Sequence, residues 1–167
     1  MIPSDVQHEI RNGIADISFG INRIEKAIVS NGIEIVSPVG HWNIRNDSEG
    51  GGGFTAKRGI RSHEKNDLLC IPGQEVVAPF DGIIRRYFNV YEDEPNYIGI
   101  EILSTGHHWL AQISYIIPFE EKVVGEVEKR QDIGYAADIR DRYNQRMKPH
   151  IDFRLTANPF LFREIEG

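Results

Sequence analysis

His63 and Asp67 lie four residues apart in SHEKNDLLC, and His150 and Asp152 lie two apart in KPHIDFRL. Residues i and i+2 of a strand share one face, so the second pair would aim imidazole and carboxylate the same way. A loop running into a strand could aim the first pair at the same point. Two imidazoles and two carboxylates suit zinc, which takes nitrogen and oxygen ligands and, in catalytic sites, keeps an open position beside three protein groups. Spacing alone does not decide for a metal, because such pairs are more often exposed side chains that hydrogen-bond to water.

The segments around these residues predict the elements that hold them. LLCI, EVVAPF, GIIRRYFNV, IGIEIL, WLAQISYII and HIDFRL are short apolar runs. The turns PGQ, PFDG, EDEPN and STG separate them. Short runs with Gly, Pro, Asn and Asp punctuation predict a mainly β core of antiparallel strands rather than alternating βα units. IEIVSPVG reads as a further short strand. NDSEGGGGF reads as a flexible loop, because a run of glycines is costly to order. DIRDRYNQRMK (138–148) mixes both charge signs without period and reads as a solvated loop before the last strand.

Residues 1–31 read as a separate N-terminal element, followed by a β domain over 32–167. Within the first, residues 4–30 predict an amphipathic helix, with Ser4 and Asp5 as caps and SNG as its stop. Ile10, Ile14, Ile17, Ile21, Ile24 and Ile28 alternate spacings of four and three, a heptad pattern. Isoleucine at both seam positions favours trimers or tetramers over dimers. The expectation is a homo-oligomer, a trimer first. Gly13 and Gly20 weaken such a helix, and an amphipathic helix lying on its own domain would show the same spacings.

Bulk properties exclude several classes. A net charge of −6 argues against a general nucleic-acid binder, which needs a basic surface. No apolar run approaches the ~20 residues of a membrane helix. The single cysteine, Cys70, cannot form an intrachain disulfide and reads as a small core residue. MIPSDVQHEI lacks the pattern of a secretory signal. The expectation is a protein made in the cytoplasm and built into a larger particle.

HEKND (63–67), GQEVVAPFDGII (73–84), YII (115–117), EKRQDIGY (128–135) and HID (150–152) follow one another in order. From about Val36 to about Leu155 this series resembles the lysostaphin-type zinc endopeptidases, which cut peptide cross-links of bacterial cell walls, and their leukocyte chemotaxin branch. The family pattern is HxGxD, GxxVxAPxDGxV, YxH, xxGxxIG and HxH. The resemblance implies a small antiparallel, barrel-like β core with the site in a groove. It implies His63, Asp67 and Asp152 as zinc ligands and His150 as the base. It also places Ile117 where the YxH histidine would steady the developing oxyanion.

Three departures follow. Asp152 replaces a histidine ligand, Ile117 replaces a catalytic histidine, and Lys65 replaces the glycine inside HxGxD. A second carboxylate makes the site less positive and so a weaker activator of water. Loss of a donor aimed at an oxyanion costs about 10²–10³ in rate. The Lys65 ammonium could itself stand in for the metal. Three states of the site therefore remain open: a bound zinc, a salt-bridged, metal-free former site, or neither. Three functions follow: a catalytically degenerate module that is structural or binds cell-wall peptide, set in a phage tail tip or injection machine; an active His–Asp–Asp endopeptidase; or an adaptor binding a protein in the groove.

Overall fold

The structure is a computed structural model that describes residues 34–58, 61–106, 109–119 and 124–157. The chain divides into two units, Met1–Ile35 and Val36–Gly167. The expected N-terminal helix and its isoleucine seam lie outside the described residues.

The second unit is mainly β. Its strands are β1 (Asn46–Asp47), β2 (Gly50–Gly51), β3 (Lys57–Arg58), β4 (Arg61–Ser62), β5 (Asn66–Leu69), β6 (Glu75–Val77), β7 (Gly82–Asn89), β8 (Ile98–Ser104), β9 (Trp109–Ile117), β10 (Gly125–Val127), β11 (Asp132–Ala136) and β12 (His150–Ala157). The main sheet runs β10-β7-β8-β9-β11-β6, with β12 pairing both β9 and β5. Its pairings are antiparallel. Small hairpins β1–β2 and β3–β4 stand apart from it.

The long central strand β8 is buried along its whole length, between β7 and β9. Its Ile100 and Ile102 lie with Leu68, Ile113, Ile116 and Ile151 at the centre of the core. β-branched side chains suit such a doubly covered strand. A second cluster joins Tyr97, Tyr115, Ala137 and Ile139.

Three local expectations are corrected. Glu34–Ser37 form no strand, although the Val36 amide donates to the Pro79 carbonyl at 2.9 Å. The glycine run is not a loose loop: Gly50 and Gly51 make β2, and Gly52 accepts from the Asp67 amide at 2.7 Å. A Cβ on Gly52 would lie 2.5 Å from that of Asp67, so the missing side chain is what lets the hairpin close on β5. Residues 138–148 are not simply solvated either. Ile139–Asp141 form a 3-10 turn capped by the Asp138 side chain, and Ile139 is fully buried.

Candidate functional site

The register of three strands builds the site. Asp152 on β12 stands opposite Asp67 on β5 and opposite Ser114 on β9. His150 lies two residues back along β12 and so on the same face. His63 follows β4 and reaches back to β5. The groove, a cavity of about 860 Å³, is lined by His63, Lys65, Asp67, Tyr115, Tyr143, Met147, His150 and Asp152, with Arg45, Glu64 and Arg154 around them. The sequence-predicted residues His63, Asp67, His150 and Asp152 are therefore brought together.

His63, Asp67 and Asp152 each present a ligating atom, and these atoms lie within 4.8 Å of one another. His63 Nε2 is 3.1 Å from Asp67 Oδ1. His63 Nδ1 lies 3.3 Å from the Gly53 carbonyl, an oxygen that can only accept, so Nδ1 carries a proton and Nε2 is the ring nitrogen that faces the carboxylates. That is the usual support for a metal-binding imidazole. By chemistry and spacing the donor set fits a divalent cation such as zinc, held by His63, Asp67 and Asp152.

Two side-chain cations already serve these carboxylates. Arg45, 1% exposed, donates from Nε to Asp67 Oδ2 at 2.9 Å and from Nη1 to Asp47 Oδ1 at 2.7 Å. Lys65 Nζ lies 3.1 Å from Asp152 Oδ2 and 3.4 Å from Ser114 Oγ. Lys65 stands at the glycine position of HxGxD, so the departure in sequence and the ammonium on the carboxylate are one feature. Arg45 was not singled out by sequence. Its only signal is an arginine ahead of the glycine run.

Burial dominates the titration of the site. It pushes the Asp152 carboxyl up to about 7, with Asp67 adding to the rise and Lys65 opposing it. It lowers His150, against the pull of Asp67. His150 Nδ1 donates to the Lys148 carbonyl at 2.8 Å, leaving the Nε2 lone pair as an acceptor 3.7 Å from Asp67 Oδ2.

On β9 the side chain beside His150 is Tyr115, with ring centroids 5.8 Å apart and an edge-on geometry. Ile117 is 51% exposed, pairs with Tyr135 of β11, and is not among the residues lining the groove. A bulge explains the difference. Ser114 pairs Gly99 while Ile116 pairs Ile98, so Tyr115 is the extra residue, with φ of 68°. Such a bulge re-aims one side chain and changes the face of those after it.

No family model matches the chain. It is 30% identical over 97 residues to bovine (Bos taurus) leukocyte cell-derived chemotaxin-2, covering 58% of this chain and 62% of that protein. The mouse (Mus musculus) chemotaxin is 33% identical over the same length and coverage. The chain thus spans less than two thirds of these relatives. Among solved structures it is similar to the antimicrobial peptidase lysostaphin from Staphylococcus simulans, with a TM-score of 0.53, 20% identity, 76% of this chain covered and 49% of that one.

Proposed function

The described residues carry the lysostaphin-type peptidase fold, and from that premise we propose that the chain is a catalytically degenerate peptidase-fold module whose groove binds a peptide without cutting it. The observation that carries this reading is the Lys65 ammonium 3.1 Å from Asp152 Oδ2. It neutralises the carboxylate that would complete the metal set. With Arg45 on Asp67, both carboxylates have a cation of the chain's own. Tyr115 in place of a histidine beside His150 also removes the second imidazole of the family's catalytic pair. The resemblance to cell-wall peptidases points to a wall peptide as the ligand class.

The test has two arms. Elemental analysis of protein purified without chelator is expected to give far less than one zinc per chain. Wall suspensions from several bacterial types are expected to keep their turbidity. Stoichiometric zinc with clearing lost in His150→Ala would overturn the reading.

A second reading is an active endopeptidase. It is favoured by the 4.8 Å clustering of His63, Asp67 and Asp152 and by the His63 Nδ1 contact to Gly53. A zinc ion there would supply Lewis acidity for a peptide carbonyl. His150 Nε2 would be the base. The clearing assay separates the two readings.

We also propose a setting: a homotrimer assembled through Ile10, Ile14, Ile17, Ile21, Ile24 and Ile28, carried in a phage tail tip or related injection particle. The support is the heptad sequence and the wall-directed resemblance. A monomeric mass at micromolar concentration would remove the trimer.

A further inference from the structure

The phenol at the bulge of β9 has a role that neither the metal set nor His150 accounts for. Tyr115 is buried, sits at positive φ in mid-strand, and lines the groove. Positive φ for a bulky residue is unfavourable and persists only where the surroundings impose it. Here they do. The ring stacks on Tyr91 at 6.1 Å and meets Tyr97 and His150 edge-on. The Tyr115 carbonyl accepts from the Ala137 amide at 2.9 Å. The side chain is fixed before any ligand arrives.

Its hydroxyl ends a chain. Tyr91 Oη donates to Tyr115 Oη at 3.0 Å, and Tyr143 Oη lies 2.8 Å from Tyr91 Oη. A phenol has one proton and can accept twice. With Tyr91 donating to Tyr115, Tyr143 must donate to Tyr91, and the Tyr115 proton is left for the groove. Each link polarises the next. The Arg142 guanidinium, 3.9 Å from the centre of the Tyr91 ring, draws charge from the middle of the chain. Burial, then the Asp152 carboxylate, holds the Tyr115 phenol well above its ordinary range, so it stays neutral.

We propose that the Tyr143–Tyr91–Tyr115 chain makes Tyr115 Oη the hydrogen-bond donor for a backbone carbonyl of a peptide bound in the groove. The neighbouring His150 Nε2 is an acceptor, so the pair matches the carbonyl and N–H of a peptide unit. This rests on the reading that the groove takes a peptide.

The probe is a blocked tetraglycine, N-acetylated and amidated, which offers carbonyls and no side chains. It is titrated into the full chain carrying 13Cζ-tyrosine, in chelator, with the Tyr115 resonance identified by its loss in Tyr115→Phe. Binding is expected to move that resonance. Tyr115→Phe should weaken binding about tenfold, the worth of one such hydrogen bond. Tyr91→Phe, which leaves Tyr115 in place, should weaken it by a smaller factor and shift the same resonance. If Tyr115→Phe does not fold, the Tyr91→Phe variant and the wild-type resonance decide. The proposal is overturned if the peptide binds Tyr115→Phe as tightly as wild type, binds without moving the Tyr115 signal, or does not bind wild type. Cleavage of the probe in zinc would instead overturn the non-catalytic reading and leave the Tyr115 dependence standing.

Discussion

The Lys65 ammonium sits 3.1 Å from Oδ2 of Asp152, a carboxylate almost wholly buried between β5 and β9. Metal and ammonium compete for the same oxygens. Lys65→Met is therefore expected to bind zinc at least about tenfold more tightly than wild type, equivalent to about 1.4 kcal/mol. Calorimetric titration of chelator-stripped protein measures this directly. The same variant should melt lower than wild type in chelator, because Asp152 loses its cation, and recover with zinc by mass action. Equal zinc affinity in the two proteins would mean that Lys65 swings away at no cost.

Arg45 is the second cation, and its burial makes it structural. It bridges Asp67 and Asp47, both nearly inaccessible. Removing one member of a buried ion pair leaves a charge without compensation, at a cost of about 3–5 kcal/mol. Arg45→Met is expected to lose that much in urea denaturation. Arg45→Met combined with Asp67→Asn should lose less than the sum of the two single changes, since the second removes the stranded charge. Additive losses would show that the two residues are not coupled.

The strands that carry the site were legible because their apolar runs and turns are local signals: β5, β6, β7, β8, β9 and β12 fall on the segments expected. The pairing of His63 with Asp67 and of His150 with Asp152 was legible as spacing. Their convergence followed from the family resemblance and not from spacing, which says nothing of β12 reaching both β5 and β9. Arg45 and Tyr143 were missed for the same reason: nothing near them in sequence says that a buried carboxylate or a groove lies across the sheet. The glycine run misled because glycine permits looseness and close approach alike, and only the Asp67 side chain against Gly52 decides between them. Tyr115 was hidden by parity. In an unbroken strand Tyr115 and Ile117 would share a face, and a bulge has no fixed sequence mark when its residue is not glycine.

That bulge gives a direct test of which β9 position belongs to the groove. Ile117→His is expected to leave zinc affinity and any residual hydrolysis unchanged, because that side chain lies half-exposed beside Tyr135. Tyr115→His would put an imidazole against His150 instead. Made together with Lys65→Gly, it is expected to raise hydrolysis of a fluorogenic glycine peptide by about 10²-fold, the scale of one restored oxyanion donor. Activity gained by Ile117→His and not by the Tyr115 variant would place Ile117 in the site after all.

Without metal, the pH dependence of stability should carry the mark of Asp152. Its carboxyl is raised to about 7 in the folded chain, chiefly by burial, from an ordinary 3.8. Between those values the folded state holds a proton that the unfolded state has released. The stability this contributes is full below about 4 and is lost as pH rises through about 7, with a slope of up to about 1.4 kcal/mol per pH unit. His150 works in the opposite sense. Burial lowers it, so its contribution is present above its ordinary 6.5 and lost as pH falls through the folded value. The two effects oppose each other below pH 6.5, so urea midpoints of wild type in chelator are expected to fall most clearly between about pH 6.5 and 7.5, where only Asp152 acts. In Asp152→Asn only the His150 effect remains, and the midpoints should rise towards pH 6.5 and then level. The same slope in wild type and variant would mean that Asp152 is ionised throughout, held so by Lys65.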